Sequence, residues 1–350
     1  MRRHYLLWFL VGLCIIGLTI HLAGPQEVVE ALKSLNFTSF LILLIIQLLI
    51  QLSWALKWWV VLRSSKVSFK KVLPVSMVGY LVNGITPAGM AGGEPARAYI
   101  LSRIDKISTE KAAASVIVDL FLDIFPLIFF IIIAIGMTLT SPLCMGVTYL
   151  LILSGLVLTF FFILVLMLPF NEKFTGEVVH SILRAACHLP LIKNHALTTI
   201  QRVEHIIHEF HQAMNETMTD SYVLFTGIFI SFITWILHIS RAYLIFLFLG
   251  YNISPATIII VRITVSAVSF IPFTPGALGV WEGVGTWLFT LFDIPASIGL
   301  AATLIDRFFT YWFGNLLGII ASVYLGIMHL VMKKYVEGEK EFNSVGEESI

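Results

Sequence analysis

Six apolar runs, at approximately 5–22, 38–62, 112–139, 146–169, 221–249 and 297–330, are each long enough to cross a lipid bilayer. A crossing helix needs roughly 20 apolar residues, because the hydrocarbon core is about 30 Å thick and each residue rises about 1.5 Å. Inside that core the backbone has no water to bind, so such runs must be helices that satisfy their own hydrogen bonds. Their continuity excludes the short alternating strands of an outer-membrane barrel. Composition agrees, with 58% of the 350 residues hydrophobic and only 12% charged. A soluble domain carries about 25% charged residues, so a water-soluble enzyme, a disordered chain, a coiled coil and a nucleic-acid binder are excluded. Cys14, Cys144 and Cys187 are too few and scattered for a disulfide framework or a metal cluster. The first run ends at Thr19–Pro25 without a small-x-small cleavage site, so it reads as a retained helix. The expected fold is an all-α polytopic membrane protein.

Two further apolar stretches, 72–100 and 256–292, are broken in the middle by Gly and Pro. Of the 22 Lys and Arg, four lie inside apolar segments (Lys57, Arg241, Arg262 and Arg307), and Lys33 sits in the connection 23–37. The other 17 fall at the N-terminus, in 63–71, 97–111 and 173–202, and at the C-terminus. Six full spans with both termini inside place all 17 in the cytoplasm, as the positive-inside rule requires. Each broken segment must then return to the side it entered from, the first from the cytoplasm and the second from outside. Counting each as a pair of spans gives the same loop orientations, so charge does not separate a re-entrant hairpin from crossing half-helices.

The two broken segments resemble one another. Thr86-Pro87-Ala88-Gly89-Met90-Ala91-Gly92-Gly93-Glu94 and Thr274-Pro275-Gly276-Ala277-Leu278-Gly279-Val280-Trp281-Glu282 both set a Glu seven positions after the Pro. Upstream, Trp54–Lys57 resembles Trp235–His238; downstream, Asp119 lies 25 residues past Glu94 and Asp306 lies 24 past Glu282. Units at about 38–139 and 221–330 therefore predict an inverted-topology repeat within one membrane domain, 1–330, with discontinuous helices at a midplane site. Pro and Gly leave backbone groups unpaired, which survive only against protein or a water-filled cavity. Half-helix N-termini also favour an anion. An ionised side chain at the bilayer centre costs at least about 2.5–3.5 kcal/mol, so those present should face inward and pair. The acids are Glu94, Asp119, Asp123, Glu282 and Asp306; the bases are Lys57, Arg97, Arg241, Arg262 and Arg307. Glu94 with Arg97, and His238 with Arg241, share a helix face. Asp119 and Asp123 present two carboxylates on one face, equally readable as partners of Lys57 or Arg97. Arg262 lies within snorkelling reach of the outer surface, and Lys57 with Arg63, Lys66, Lys70 and Lys71 could hold anionic headgroups at the inner one.

The connection 170–220 is the sizeable cytoplasmic loop, and Ile200, Val203, Ile207, Phe210 and Met214 predict an interfacial amphipathic helix within it. His205, His208 and His211 step by three, but without a carboxylate partner they read as a solvated face and not a metal site. Residues 331–350 read as a charged, disordered cytoplasmic tail.

Asn83-Gly84-Ile85-Thr86-Pro87, Gly92-Gly93-Glu94-Pro95-Ala96-Arg97 and Pro272–Gly283 resemble the flippase-like family over about 1–330. That family contains the transmembrane region of lysylphosphatidylglycerol synthases (MprF-type) and the stand-alone YbhN/AglD-like proteins of the UPF0104 group. The resemblance implies lipid movement across the cytoplasmic membrane, with roles for Glu94, Arg97, Glu282, Asp306 and Arg307. No aminoacyl-transferase domain follows residue 330, so synthesis of lysyl lipids is not expected. The leading expectation is a translocator of a phospholipid or polyprenyl-phosphate-type lipid, without cofactor or metal and not an enzyme. Arg97, Arg262 and Arg307 would contact phosphate, with Glu94 and Glu282 balancing charge or meeting a cationic headgroup. Lys57, Asp119 and Asp123 complete the candidate binding residues; Thr86, Pro87, Gly89, Gly92, Gly93, Thr274, Pro275, Gly276 and Gly279 supply broken-helix backbone. No Walker sequence appears, so energy would come from an ion or lipid gradient or from a partner. Expected partners are anionic or phosphate-bearing membrane lipids and no nucleic acid, with a homo-oligomer or a lipid-making enzyme also considered. The alternatives are a small-solute or ion carrier at the same site, an intramembrane headgroup enzyme using a metal on Asp119 and Asp123, and a regulatory or scaffold subunit.

Overall fold

The computed structural model describes residues 2–86, 92–105, 107–139, 203–269 and 274–326, with a few isolated positions between 149 and 176. All regular structure among the described residues is helical. Helices α1 (Arg2–Ala23) and α2 (Pro25–Lys33) meet at a bend of 90°. The corner is Gly24, whose φ of 85° lies in the left-handed region that side chains disfavour. Helix α3 (Phe37–Val61) starts where the Asn36 side chain accepts a hydrogen bond from the Ser39 amide, 2.8 Å. A 3₁₀ turn at Leu62–Ser65 leads to α4 (Phe69–Ile85), followed by α5 (Gly93–Asp105) and α6 (Thr109–Leu139). The second half comprises α7 (Val203–Met218), α8 (Ser221–Phe248) and α9 (Pro255–Ser269). A 3₁₀ turn at Pro275–Ala277 leads to α10 (Val280–Thr290) and α11 (Ala296–Arg307). Helix α11 continues through a π turn, Phe308–Phe313, into α12 (Gly314–Tyr324).

Three helices, Phe37–Ser65, Thr109–Thr138 and Ser221–Phe248, are long and apolar enough to cross a membrane, and α1 with α2 makes a fourth if the bent pair is one span. The expected run at 146–169 and the tail lie largely outside the described residues, and the expected run at 297–330 is described to Gly326. The amphipathic helix is α7, though not free at an interface. Its Ile207, Ala213 and Met214 are buried, and it packs on α6. Protein already covers Ile207, Phe210 and Met214 of its apolar face. No group of three metal-ligating side chains occurs among the described residues, which exclude Ile200 and the side chain of His205.

Helices α3 and α8 pack on one another and run antiparallel. Gln47 meets Arg241, and further along α3 Ser53 Oγ lies 2.9 Å from Thr234 Oγ1, further back along α8. Each broken segment is a hairpin. In the first, α5 folds back on α4: the Gly93 amide donates to Asn83 Oδ1 at 2.6 Å and Arg97 packs on Gly79. An ion pair of Lys71 and Asp105 closes its mouth. At 17 and 13 residues these helices are only about 26 and 20 Å long, short of a 30 Å core. In the second, Tyr251 Oη donates to the Asp293 carbonyl at 3.5 Å, and Leu249, Ile253 and Ile294 share one apolar core. The first mouth lies where α3 ends and α8 begins, with Arg63 over the Tyr222 ring at 4.4 Å. The second lies where α8 ends and α3 begins, with Ser34 Oγ 3.5 Å from the Phe248 carbonyl oxygen. The hairpins therefore open at opposite ends of the α3–α8 pair.

The first hairpin is tight because Gly93 has no side chain. A Cβ there would sit 2.0 Å from the Gly79 carbonyl oxygen, forcing α4 and α5 apart. Gly93→Ala is expected to lower stability by about 1–3 kcal/mol, as overpacking does. The midpoint of thermal unfolding in detergent measures it. Gly17→Ala, inside α1 and with an added Cβ that meets nothing within 4 Å, should not lower the midpoint.

Candidate functional site

Each hairpin carries a cluster of buried charge. In the first, Lys57 Nζ of α3 lies 3.2 Å from Asp119 Oδ1 and 2.5 Å from Asp123 Oδ2, both on α6. It also donates to the Asp119 carbonyl at 2.9 Å. Asp119 takes a second base, Arg97 Nη1 of α5, at 2.7 Å. Asp123, about one-third exposed, accepts from Ser231 Oγ of α8 at 2.9 Å. The Arg97 guanidinium is fully buried between the rings of Trp54 and Trp58, each 4.9 Å away, a cation–π clasp. Trp58 is itself held by its Nε1 donating to Ser115 Oγ, 3.1 Å. Glu94, in the first turn of α5, accepts from Asn83 Nδ2 at 3.3 Å through Oε1. Its Oε2 has no hydrogen-bond partner among the described residues.

The second cluster repeats this plan with different residues. Asp306 of α11 again carries two bases: Arg241 of α8, through Nε at 3.0 Å and Nη2 at 2.7 Å, and Arg262 of α9, 3.0 Å. Gln47 of α3 accepts from Arg241 Nη1, as Ser231 of α8 serves Asp123 in the first cluster. His238 Nδ1 lies 2.9 Å from Arg262 Nη2 and must accept, since a guanidinium has only donors. Glu282, in the first turn of α10, is fully used. Its Oε1 accepts from Arg307 Nε at 3.0 Å, and its Oε2 from the Gly279 amide at 2.7 Å. Arg307 Nη2 donates to the Gly276 carbonyl at 2.7 Å, and the Trp281 ring lies under both Arg262 and Arg307.

The two breaks are tied together. Tyr311 Oη, in the π turn, donates to the Gly84 carbonyl at 3.2 Å, and Tyr80 Oη of α4 to the Thr310 carbonyl at 2.6 Å. Arg262 and Asp306 form the polar end of a cavity of about 40 Å³, lined otherwise by Thr303 and by largely apolar residues including Phe246, Val265, Trp281 and Phe289. That space accommodates water and not a headgroup. A larger cavity, about 430 Å³, lies by Ser65, Lys111 and Glu209 and touches neither cluster.

Several sequence expectations change. Arg97 pairs with Asp119 of another helix and not with Glu94 on its own, although both share α5. Arg262 does not snorkel: it turns inward to Asp306 with its side chain 10% exposed. Lys57 is 1% exposed and takes two carboxylates, so it is no headgroup anchor. Its counterpart by pairing is Arg241, and not His238 as the Trp-x-x-x match suggested. Asp119 and Asp123 do share a face, but Lys57 occupies the space a metal would take. In the first break Thr86 Oγ1 bonds back to the Val82 carbonyl at 2.8 Å and Gly92 packs beside it; Pro87 and Gly89 lie outside the described residues. In the second, Thr274 Oγ1 donates to the Leu278 carbonyl at 2.7 Å and Pro275 opens the 3₁₀ turn. Sequence reasoning missed Gln47, Tyr80, Asn83, Ser231 and Tyr311. An amide within an apolar run, such as Gln47 or Asn83, was the available signal.

The profile of the family described as the lysylphosphatidylglycerol synthase TM region matches residues 5–318. A UPF0104 membrane protein of Methanothermobacter thermautotrophicus is 31% identical over 333 residues, covering 93% of this chain and 97% of that protein. A second from the same organism is 27% identical over 331 residues, covering 93% and 94%. One from Methanocaldococcus jannaschii is 26% identical over 322 residues, covering 91% of each. No solved structure matches at the same stringency. A match over nearly the whole length, on a chain of apolar helices, makes this a helical membrane protein belonging to the lysylphosphatidylglycerol synthase TM-region family.

Proposed function

We propose that the protein is a lipid translocase, moving a phospholipid or polyprenyl-phosphate-type lipid across the cytoplasmic membrane. One observation carries this reading: among the described residues three arginines, Arg241, Arg262 and Arg307, face two carboxylates, Asp306 and Glu282, beside a broken helix. The surplus positive charge suits a phosphate, and the apolar walls next to Arg262 suit the chain attached to it. The cavity is too small for a headgroup in this conformation, so one enters only when the helices part. Hairpins opening at opposite ends of an antiparallel pair support an inverted repeat, and rocking of one unit on the other would then alternate access. Arg63, Lys66, Lys70 and Lys71 gather at the first mouth, which supports placing that end in the cytoplasm. Both termini would then be cytoplasmic.

In the same reading the protein is not an enzyme. The carboxylate pair Asp119 and Asp123 is balanced by Lys57 and Arg97, so these four residues act as a brace and not as a metal site. A free solute offers no reason for apolar walls beside the arginine, which places the small-solute carrier second.

The direct measurement is translocation in proteoliposomes of labelled phosphatidylglycerol, polyprenyl phosphate, and zwitterionic and cationic lipids. Arg262→Gln should slow a phosphate-bearing lipid about tenfold or more, the loss of a charge-assisted hydrogen bond of about 1.5–3 kcal/mol, while Asp306 keeps Arg241. A parent that moves no lipid, or a variant as fast as the parent, defeats the reading. Chelating divalent cations is expected to leave the rate unchanged; metal-dependent turnover would instead favour the headgroup enzyme. Lys57→Met strands Asp123 and leaves Asp119 with Arg97 alone, which should cost about 3–5 kcal/mol. Adding Asp123→Asn, which restores charge balance against Arg97 and Asp119, should recover much of that loss in thermal unfolding.

A further inference from the structure

The two clusters are matched in plan and opposite in charge. The second has one base too many, as described. In the first, Lys57 and Arg97 balance Asp119 and Asp123, which leaves Glu94 as a carboxylate beyond balance. The sequence explains the difference. Arg307, which neutralises Glu282, directly follows Asp306, whereas Asp119 is followed by Leu120, so Glu94 has no such partner. Glu94 is 9% exposed, and the charged groups that reach it are Arg97 on its own helix and Asp119 on α6. Arg97 already gives its contact to Asp119, and α4 offers Glu94 only the Asn83 amide. An unpaired buried carboxylate is strongly disfavoured unless it neutralises itself by taking up a proton.

A metal ion does not fit there. The Gly93 amide can only donate, so Asn83 Oδ1 is its acceptor and the Asn83 NH₂ must face Glu94. Hard cations require several oxygen ligands, and this neighbourhood presents donors and a guanidinium.

We infer that Glu94 is a proton-binding site, loaded in the conformation seen here and emptied during the transport cycle. The proton comes from water, bonds to the carboxylate at Oε2, and returns to water when rocking of the two units hydrates the site. That last step rests on the translocase reading. One proton on Glu94 together with one added negative charge at the second cluster would bring both clusters to balance, which links proton loading to anionic headgroup binding.

Two measurements separate this inference from the reading it extends. The first is infrared spectroscopy of the full chain in phosphatidylcholine nanodiscs, titrated between about pH 5 and 9, a window that spans documented buried carboxyls. The parent should show the carbonyl band of a protonated carboxyl, lost in Glu94→Gln and retained in Glu282→Gln. Absence of the band, or its survival in Glu94→Gln, overturns the proton site. The second follows labelled phosphatidylglycerol in proteoliposomes with and without a pH gradient. The gradient should change the rate of the parent and not that of Glu94→Gln. Equal rates in the parent overturn the coupling and leave translocation standing. No lipid movement at all defeats the translocase reading and coupling to it, while the infrared titration still decides the proton site.

Discussion

A charge carried into an apolar slab has to find its opposite within the protein, and the arrangement of helices here follows from that requirement. Asp119 and Asp306 each join two bases from two other helices: α3 and α5 in one case, α8 and α9 in the other. Removing Asp306 would strand two cations at once, and removing Asp119 would strand Arg97 and leave Lys57 with Asp123 alone. The apolar faces alone would let these helices slide, because lipid competes equally well for them. Ion pairs with fixed partners specify the register, which is the best-attested use of buried charge.

This explains what was legible in the sequence. Ionisable residues are rare enough in apolar runs that Lys57, Glu94, Arg97, Asp119, Arg262, Glu282, Asp306 and Arg307 stand out, and the paired Thr-Pro breaks locate the hairpins. Pairing was legible only in part: Asp119 and Asp123 read as partners of Lys57 or Arg97, and Lys57 takes both while Arg97 takes Asp119. Spacing by three places Glu94 and Arg97 on one face of α5, but Asp119 wins Arg97 from α6, across a packing contact that no local pattern encodes. Arg262 was misplaced for a related reason. Its distance along the chain from the membrane surface is short, yet Asp306 offers a charged partner inside the protein, which outweighs a snorkelling path. The amphipathic stripe of α7 likewise announces an apolar face without saying that α6 covers it.

The remaining polar groups act on the backbone. Breaking a helix frees carbonyls and amides that hydrocarbon would leave unpaired. In the second hairpin Glu282 takes the Gly279 amide, Thr274 takes the Leu278 carbonyl and Arg307 takes the Gly276 carbonyl. The same residues thus serve as charge partners and as backbone caps. Any movement that frees Arg307 also uncaps the break, so charge and backbone in this hairpin rearrange together.

The π turn connects this hairpin to the other. It begins immediately after Arg307, so Asp306 and Arg307 end a regular helix where the hydrogen-bonding pattern widens. Such turns are commonly found at functional sites. Within it, the Thr310 carbonyl accepts from Tyr80, and Tyr311 donates to the Gly84 carbonyl, both partners lying on α4 just before the first break. A shift of α11 that redirects Arg307 therefore pulls on the end of α4. Asn83, next to Gly84, is in turn the residue that holds Glu94. Three contacts thus lead from the turn that follows Arg307, the base on Glu282, to Glu94, the carboxylate beyond balance in the other cluster.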